Sequence, residues 1–197
     1  MNYKRIVLNE PHASIEGLYD NQLSFWNIDE HFINDIVLKC DPLEQQGQGI
    51  VYKQFDGYTR TVPEENEVQL LGLWHWHQQR LRDNLCEGAL LLDCHSFPSE
   101  MSDVDICIGF NEDWSKPHKE TVELAVSIFE DNGYKVGINE PYSNSETPDC
   151  PFSYQSMMLE VNKRTYMEDG SLRLIGTNNH KRDVRDIMNT ILSELEM

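Results

Sequence analysis

The sequence predicts an α/β fold, a three-layer α/β/α arrangement around a central mixed, largely parallel sheet, with residues 1–197 forming a single domain. Three observations point there. Short apolar strands alternate with amphipathic helical segments along the chain. The run ALLL at 89–92 is apolar throughout, as suits a strand covered on both faces. No Pro-, Gly- or Ser-rich linker or shift in composition divides the 197 residues, a length that supports one full core.

The elements follow in order. Residues 3–8 read as a strand stopped by Asn9, Glu10 and Pro11. Residues 28–39 read as a helix, with Asp29, Ile33, Ile36 and Val37 sharing a face. Residues 50–55 form a strand, and Pro63 with a Glu-rich first turn opens a helix to about residue 85, its buried stripe being Leu70, Leu73, Trp74, His77 and Leu81. The strand at 89–92 breaks into Asp93, His95 and Ser96, placing polar groups at its carboxyl end. In the strand at 104–110, Val104, Ile106 and Ile108 alternate with Asp105 and Cys107, so one covered face is expected. A helix at 118–131 is closed by Asn132 and Gly133, and GYKVGIN gives a strand ending at Asn139. Residues 140–153 are rich in turn formers and read as a surface loop. A strand at 154–161 carries Glu160, and a final helix at 180–195 shows Val184, Ile187, Met188, Ile191 and Leu195 at helical spacing.

The net charge of −18 argues against nucleic acid and anionic membrane as partners, since phosphate binding relies on clustered Lys and Arg. No apolar stretch approaches a membrane span, and MNYKRIVLNEPH lacks a signal-peptide core, so a cytoplasmic location is expected. Five scattered cysteines form neither a disulfide framework nor a zinc ribbon and are expected as free thiols.

Two histidines at strand ends, His12 and His95, together with Asp29 on an apolar face, make a plausible ligand set for one zinc ion per chain. Catalytic zinc takes three nitrogen or oxygen donors and leaves a position for water. Glu16, Glu30 and Asp93 are alternatives to Asp29 as the acidic ligand, or orient a histidine from behind. His75 and His77 point in roughly opposite directions on a helix and cannot chelate one ion. Glu160, a carboxylate among apolar neighbours, suits a general base that activates water, and Arg60 suits a bidentate hold on a substrate carboxylate. Hydrolysis of an amide or ester is the chemistry these groups imply.

The succession PHAS at 11–14, IDEH at 28–31, YTRTVPEEN at 58–66, HWH at 75–77, LLLDCHS at 90–96, ICIGF at 106–110, GYKVGINEPY at 133–142 and MLEVNKRTYM at 158–167 resembles the N-formylglutamate amidohydrolase family. The resemblance covers about residues 6–167. It implies a zinc hydrolase with a phosphorylase/hydrolase-like α/β/α fold shared with zinc carboxypeptidases, acting on a small N-acyl amino acid. Carried over by position, His12, Asp29 and His95 match the metal ligands, Glu160 the catalytic base, and Arg60, His77 and Asn139 groups that bind substrate. Where the family has Asp-Leu-Asn-Arg this chain has Glu64, Glu65, Asn66 and Glu67, and a Gly-Gly pair is replaced by Asn144 and Ser145. Loss of that arginine disfavours an acidic substrate. Three readings result: an N-acyl amino acid amidohydrolase, a metallopeptidase or amidase on a larger peptide-like substrate, and a non-catalytic binding protein. Retention of the ligands and Glu160 argues against the last. Oligomeric state is left open.

Overall fold

The computed structural model describes residues 3–10, 32–33, 54–55, 58–59, 61, 63–168 and 179–196. Its centre is a six-stranded sheet made of β1 (Ile6–Glu10), β2 (Phe32–Ile33), β5 (Leu90–Phe97), β6 (Ile106–Gly109), β7 (Val136–Ile138) and β8 (Gln155–Asn162), in the order β2-β1-β5-β8-β6-β7. The first four strands in that order are mutually parallel, β6 runs antiparallel to β8, and β7 follows β6. The sheet is therefore mixed and largely parallel. A separate hairpin pairs β3 (Gln54–Phe55) with β4 (Tyr58–Thr59). The α-helices among the described residues are α1 (Glu64–Asn84), α2 (Lys119–Asp131) and α3 (Asn179–Glu196).

Side chains alternate across a strand, so residue parity assigns each to a face. Leu90, Leu92 and Cys94 of β5, Met157, Leu159 and Val161 of β8, and Ile106 and Ile108 of β6 form one core with Val122, Ala125 and Phe129 of α2 and Val184, Ile187, Met188, Ile191 and Leu195 of α3. Val7 of β1 and Leu91 of β5 point the other way and pack with Leu81 of α1 and with Leu85, which caps its end. Helices thus cover both faces of the sheet. Acidic Glu64, Glu65 and Glu67 in the first turn of α1 suit the positive end of its dipole. Gly133, at φ 86, closes α2 in the left-handed conformation that its lack of Cβ permits.

Four sequence expectations change. Within the expected helix 28–39, residues 32–33 are strand, paired parallel with Asn9 and Glu10; the remainder lies outside the described residues. An open edge of β1 offers hydrogen bonds that override a helical spacing of apolar residues. Strand β1 begins at Ile6 and runs through Asn9 instead of stopping there, because β1 pairs with β5 through Asn9 and the Asn9 Nδ2 finds an acceptor on Asp93 within the sheet. Strand β5 continues through His95 to Phe97, since β8 runs beside it at every position.

The fourth change concerns β6 and the 140s. All four β6 residues are buried, where one exposed face was expected. Residues 142–148 supply the cover. The Cys107 thiol donates to the Tyr142 carbonyl at 3.4 Å, and a Cβ built on Gly109 would stand 3.0 Å from both the Tyr142 and Asn144 carbonyl oxygens. A glycine at 109 permits this close approach. The segment read as a surface loop is a strap lying across the sheet, with Ser145 and Pro148 buried. Cys86, Cys94, Cys107 and Cys150 are free thiols. No helix among the described residues is long and apolar enough to cross a membrane.

Candidate active site

The α1 face of the sheet turns polar toward the carboxyl ends of β5 and β8. His95 pairs with Glu160, and Glu160 pairs on its other side with Cys107. These three residues form a row on one face, with neighbouring Cβ atoms about 5 Å apart. The next row below holds Asn9, Asp93 and Met158.

Asp93 is the knot of this region. Its Oδ1 accepts from His95 Nε2 at 2.8 Å and from Asn9 Nδ2 at 2.7 Å, and its Oδ2 accepts from the Glu146 backbone N–H at 3.0 Å. Burial alone would raise the Asp93 carboxyl, but the His95 charge and these donors hold it below the usual carboxylate range. Burial would likewise lower His95, yet the carboxylates of Asp93, Glu160 and Glu146 bring it up to about 9. Glu160 is 7% exposed, and the His95 side chain is partly exposed, at 24%.

The strap and α1 close over the same face. Gln78 of α1 donates from Nε2 to Glu146 Oε1 at 3.1 Å. Ser156 of β8 donates to the Glu146 carbonyl at 2.6 Å and meets Ser145 Oγ at 2.6 Å. His77, one residue before Gln78, is 3% exposed and is lowered to about 4 by burial, so its imidazole is neutral at neutral pH. It is near enough to Asp93 to feel that charge. Burial pushes the Cys107 thiol up to about 11, which keeps it protonated and a poor nucleophile.

Of the residues singled out from sequence, His95, Glu160 and His77 thus gather around Asp93. Asn139 does not. It follows the last residue of β7, three strands from β5 and about 14 Å away across the sheet. Its left-handed backbone, φ 55, is one that asparagine tolerates, and its Oδ1 accepts from the Phe110 N–H at 2.9 Å, shaping the turn that leaves β6. His12, Asp29 and Arg60, with the alternatives Glu16 and Glu30, lie outside the described residues. Sequence reasoning passed over Asn9, Gln78 and Glu146. A lone amide inside an apolar strand was the available signal for Asn9; a main-chain donor such as the Glu146 N–H leaves none.

The donor chemistry fits a zinc ion. With Nε2 of His95 engaged by a carboxylate, Nδ1 is the nitrogen that a metal would take, the usual carboxylate–histidine–metal arrangement. The described residues alone gather no group of three or more ligands, and a full set would need residues such as His12 and Asp29.

Among solved structures, the chain is similar to an N-formylglutamate amidohydrolase from Ralstonia eutropha JMP134, with a TM-score of 0.59 and 14% identity over 99% of this chain and 95% of that one. It is also similar to a gene product from Agrobacterium tumefaciens, with a TM-score of 0.53 and 13% identity over 99% and 93% of the two chains. At such identities the likeness is one of fold. No curated protein sequence matches the chain. A family model for N-formylglutamate amidohydrolase does match, over residues 27–167, and this hydrolase belongs to the N-formylglutamate amidohydrolase family.

Proposed function

We propose that the protein is a zinc-dependent amidohydrolase that cleaves the amide bond of an N-formyl or other N-acyl amino acid, with His12, Asp29 and His95 as metal ligands and Glu160 as the acid–base residue. The observation that carries this reading is the register of β5 against β8, which sets His95 beside Glu160 on one face while Asp93 holds His95 by Nε2. Bound in such a site, zinc would acidify water and polarise the acyl carbonyl. Glu160 takes the proton from the attacking water as it adds to the acyl carbon, and returns it to the amine nitrogen as the C–N bond breaks. Asp93 fixes the plane of the His95 ring, and neutral His77 offers a hydrogen bond to the bound substrate. Arg60 would hold the substrate carboxylate.

A larger peptide-like substrate is the second reading, favoured by the acidic first turn of α1, which disfavours a second carboxylate on the substrate. The test joins metal analysis of protein purified without added metal to an assay of amine release across N-formyl, N-acetyl and peptide substrates. About one zinc per chain with turnover of an N-acyl amino acid is expected. Zinc with activity on peptides alone would select the second reading, and protein that neither carries nor responds to zinc would refute both.

A further inference from the structure

We infer that Asn9 is a positioning residue for this centre, acting on His95 through Asp93; the inference rests on His95 being a metal ligand, as proposed above. Asn9 lies inside β1 and is 2% exposed. Packing β1 onto β5 does not call for an amide there, because on the same face Val7 and Leu91 pack together as plain hydrocarbons. What the amide does is donate from Nδ2 to Asp93 Oδ1 at 2.7 Å, the same oxygen that receives the His95 N–H at 2.8 Å. An ionised carboxylate only accepts, so Asn9 must turn its nitrogen toward Asp93. Its own Oδ1 accepts no hydrogen bond among the described residues. The bond to Asp93 is therefore the polar contact that accounts for an amide at this buried position.

With the Glu146 N–H on Oδ2 at 3.0 Å, Asp93 is gripped at both oxygens. Turning the carboxylate would break a bond on each side. The grip comes from β1 and from the strap, so the carboxylate that orients His95 is fixed relative to two elements besides its own strand. Only the Asn9 arm is a side chain, and so only it is open to direct substitution.

A double-mutant cycle on the full chain tests this, with Asn9→Leu, Asp93→Asn and the pair, read first as the dissociation constant for zinc. Loss of a carboxylate that orients a metal-ligating histidine weakens binding about 10- to 100-fold, and Asn9→Leu, one step further out, is expected to weaken it about three- to tenfold. Added to Asp93→Asn, it should weaken binding no further, because its route to the metal is already cut. A change of under about twofold, or a loss that multiplies undiminished in the Asp93→Asn background, overturns the inference.

The second readout needs no metal. The ring nitrogen NMR shifts of His95 in the metal-free protein should move in Asn9→Leu and not move further when the substitution is added to Asp93→Asn. If the wild-type protein binds no zinc, the proposed function fails while these shifts still decide the role of Asn9, and unmoved shifts overturn it. Should Asn9→Leu fail to fold, Asn9→Ser, whose hydroxyl is too short to reach Asp93, is carried through the same cycle and judged the same way.

Discussion

The two faces of the central sheet are built from the same strands and have little else in common. On the side of α2 and α3, β5 and β8 present Leu90, Leu92, Cys94, Met157, Leu159 and Val161, all buried among the apolar stripes of the helices. On the side of α1 and the strap, the same strands present Asp93, His95, Ser156 and Glu160. One face holds the sheet together by burial, which needs only apolar area and complementary shape. The other keeps the buried carboxylate of Asp93 in place with directed donors from His95, Asn9 and the Glu146 N–H. The polar face can hold costly groups because the apolar face behind it is complete.

The sharpest way to break this comparison is to alter two neighbours in one strand. Glu160→Gln changes charge and hardly changes shape. If Glu160 carries the proton, kcat falls about 10²- to 10⁴-fold, while circular dichroism and bound metal stay as in the wild type. Full activity in that variant would remove Glu160 from the mechanism. One residue earlier, Leu159→Ala empties fully buried volume on the opposite face. It should cost about 2–5 kcal/mol of stability in denaturant unfolding and leave kcat per folded molecule close to wild type. A stable Leu159→Ala protein with impaired kcat would show that the faces are not separable.

A smaller effect comes from pH in protein stripped of metal. His95 is raised to about 9 from the ordinary histidine value of about 6.5. The stabilisation from its pairing with Asp93 is therefore complete below about 6.5 and is lost as pH rises through about 9. Asp93 is held below the ordinary aspartate range, so from the acid side the same pairing is present above that range and is lost as pH falls through the depressed folded value. Tm should decline as pH rises from about 6.5 toward 9, and Asp93→Asn should flatten that decline, while below about 6.5 the buried neutral His77, lowered to about 4, adds a separate acid-side loss. A wild-type Tm that is level from about pH 6.5 to 9 would mean the pair contributes nothing. Zinc affinity should run the opposite way, rising with pH, because a ligating histidine must first lose its proton.

The apolar face was the more legible of the two in the sequence. Helical spacing of Val122, Ala125 and Phe129, and of Val184, Ile187, Met188 and Ile191, marks residues that do pack against the sheet. His95 and Glu160 stood out because each interrupts an apolar run. Phe32 and Ile33 did not, since two apolar residues fit a helix as well as a strand and the pairing with β1 that decides between them is long-range. Asn139 was read by family position as a substrate group, and the structure shows its side-chain oxygen on the Phe110 N–H. The strap was the least legible element. Its attachments to the polar face run largely through main-chain groups, the Tyr142 and Glu146 carbonyls and the Glu146 N–H, which no residue type encodes.

That dependence on main-chain contacts gives the mildest test of how the polar face is held. Gly109 lies in β6 beneath the strap. A methyl group there would meet Met158 Cε at 2.5 Å and the Tyr142 and Asn144 carbonyl oxygens at 3.0 Å. The methionine end is flexible and can turn aside at little cost, whereas the two carbonyls must withdraw by a few tenths of an ångström, carrying the strap with them. Gly109→Ala should therefore destabilise the protein by only about 1 kcal/mol, at the low end of overpacking. Its second effect is the informative one. Two residues beyond Asn144, the strap has already delivered the Glu146 N–H to Asp93, so a lifted strap lengthens that 3.0 Å bond and loosens the carboxylate that orients His95. A modest fall in zinc affinity alongside the small loss of stability is the expected pair of results. Lost stability with unchanged affinity would show that Asn9 and His95 suffice to fix Asp93 and that the strap serves the polar face only as a cover.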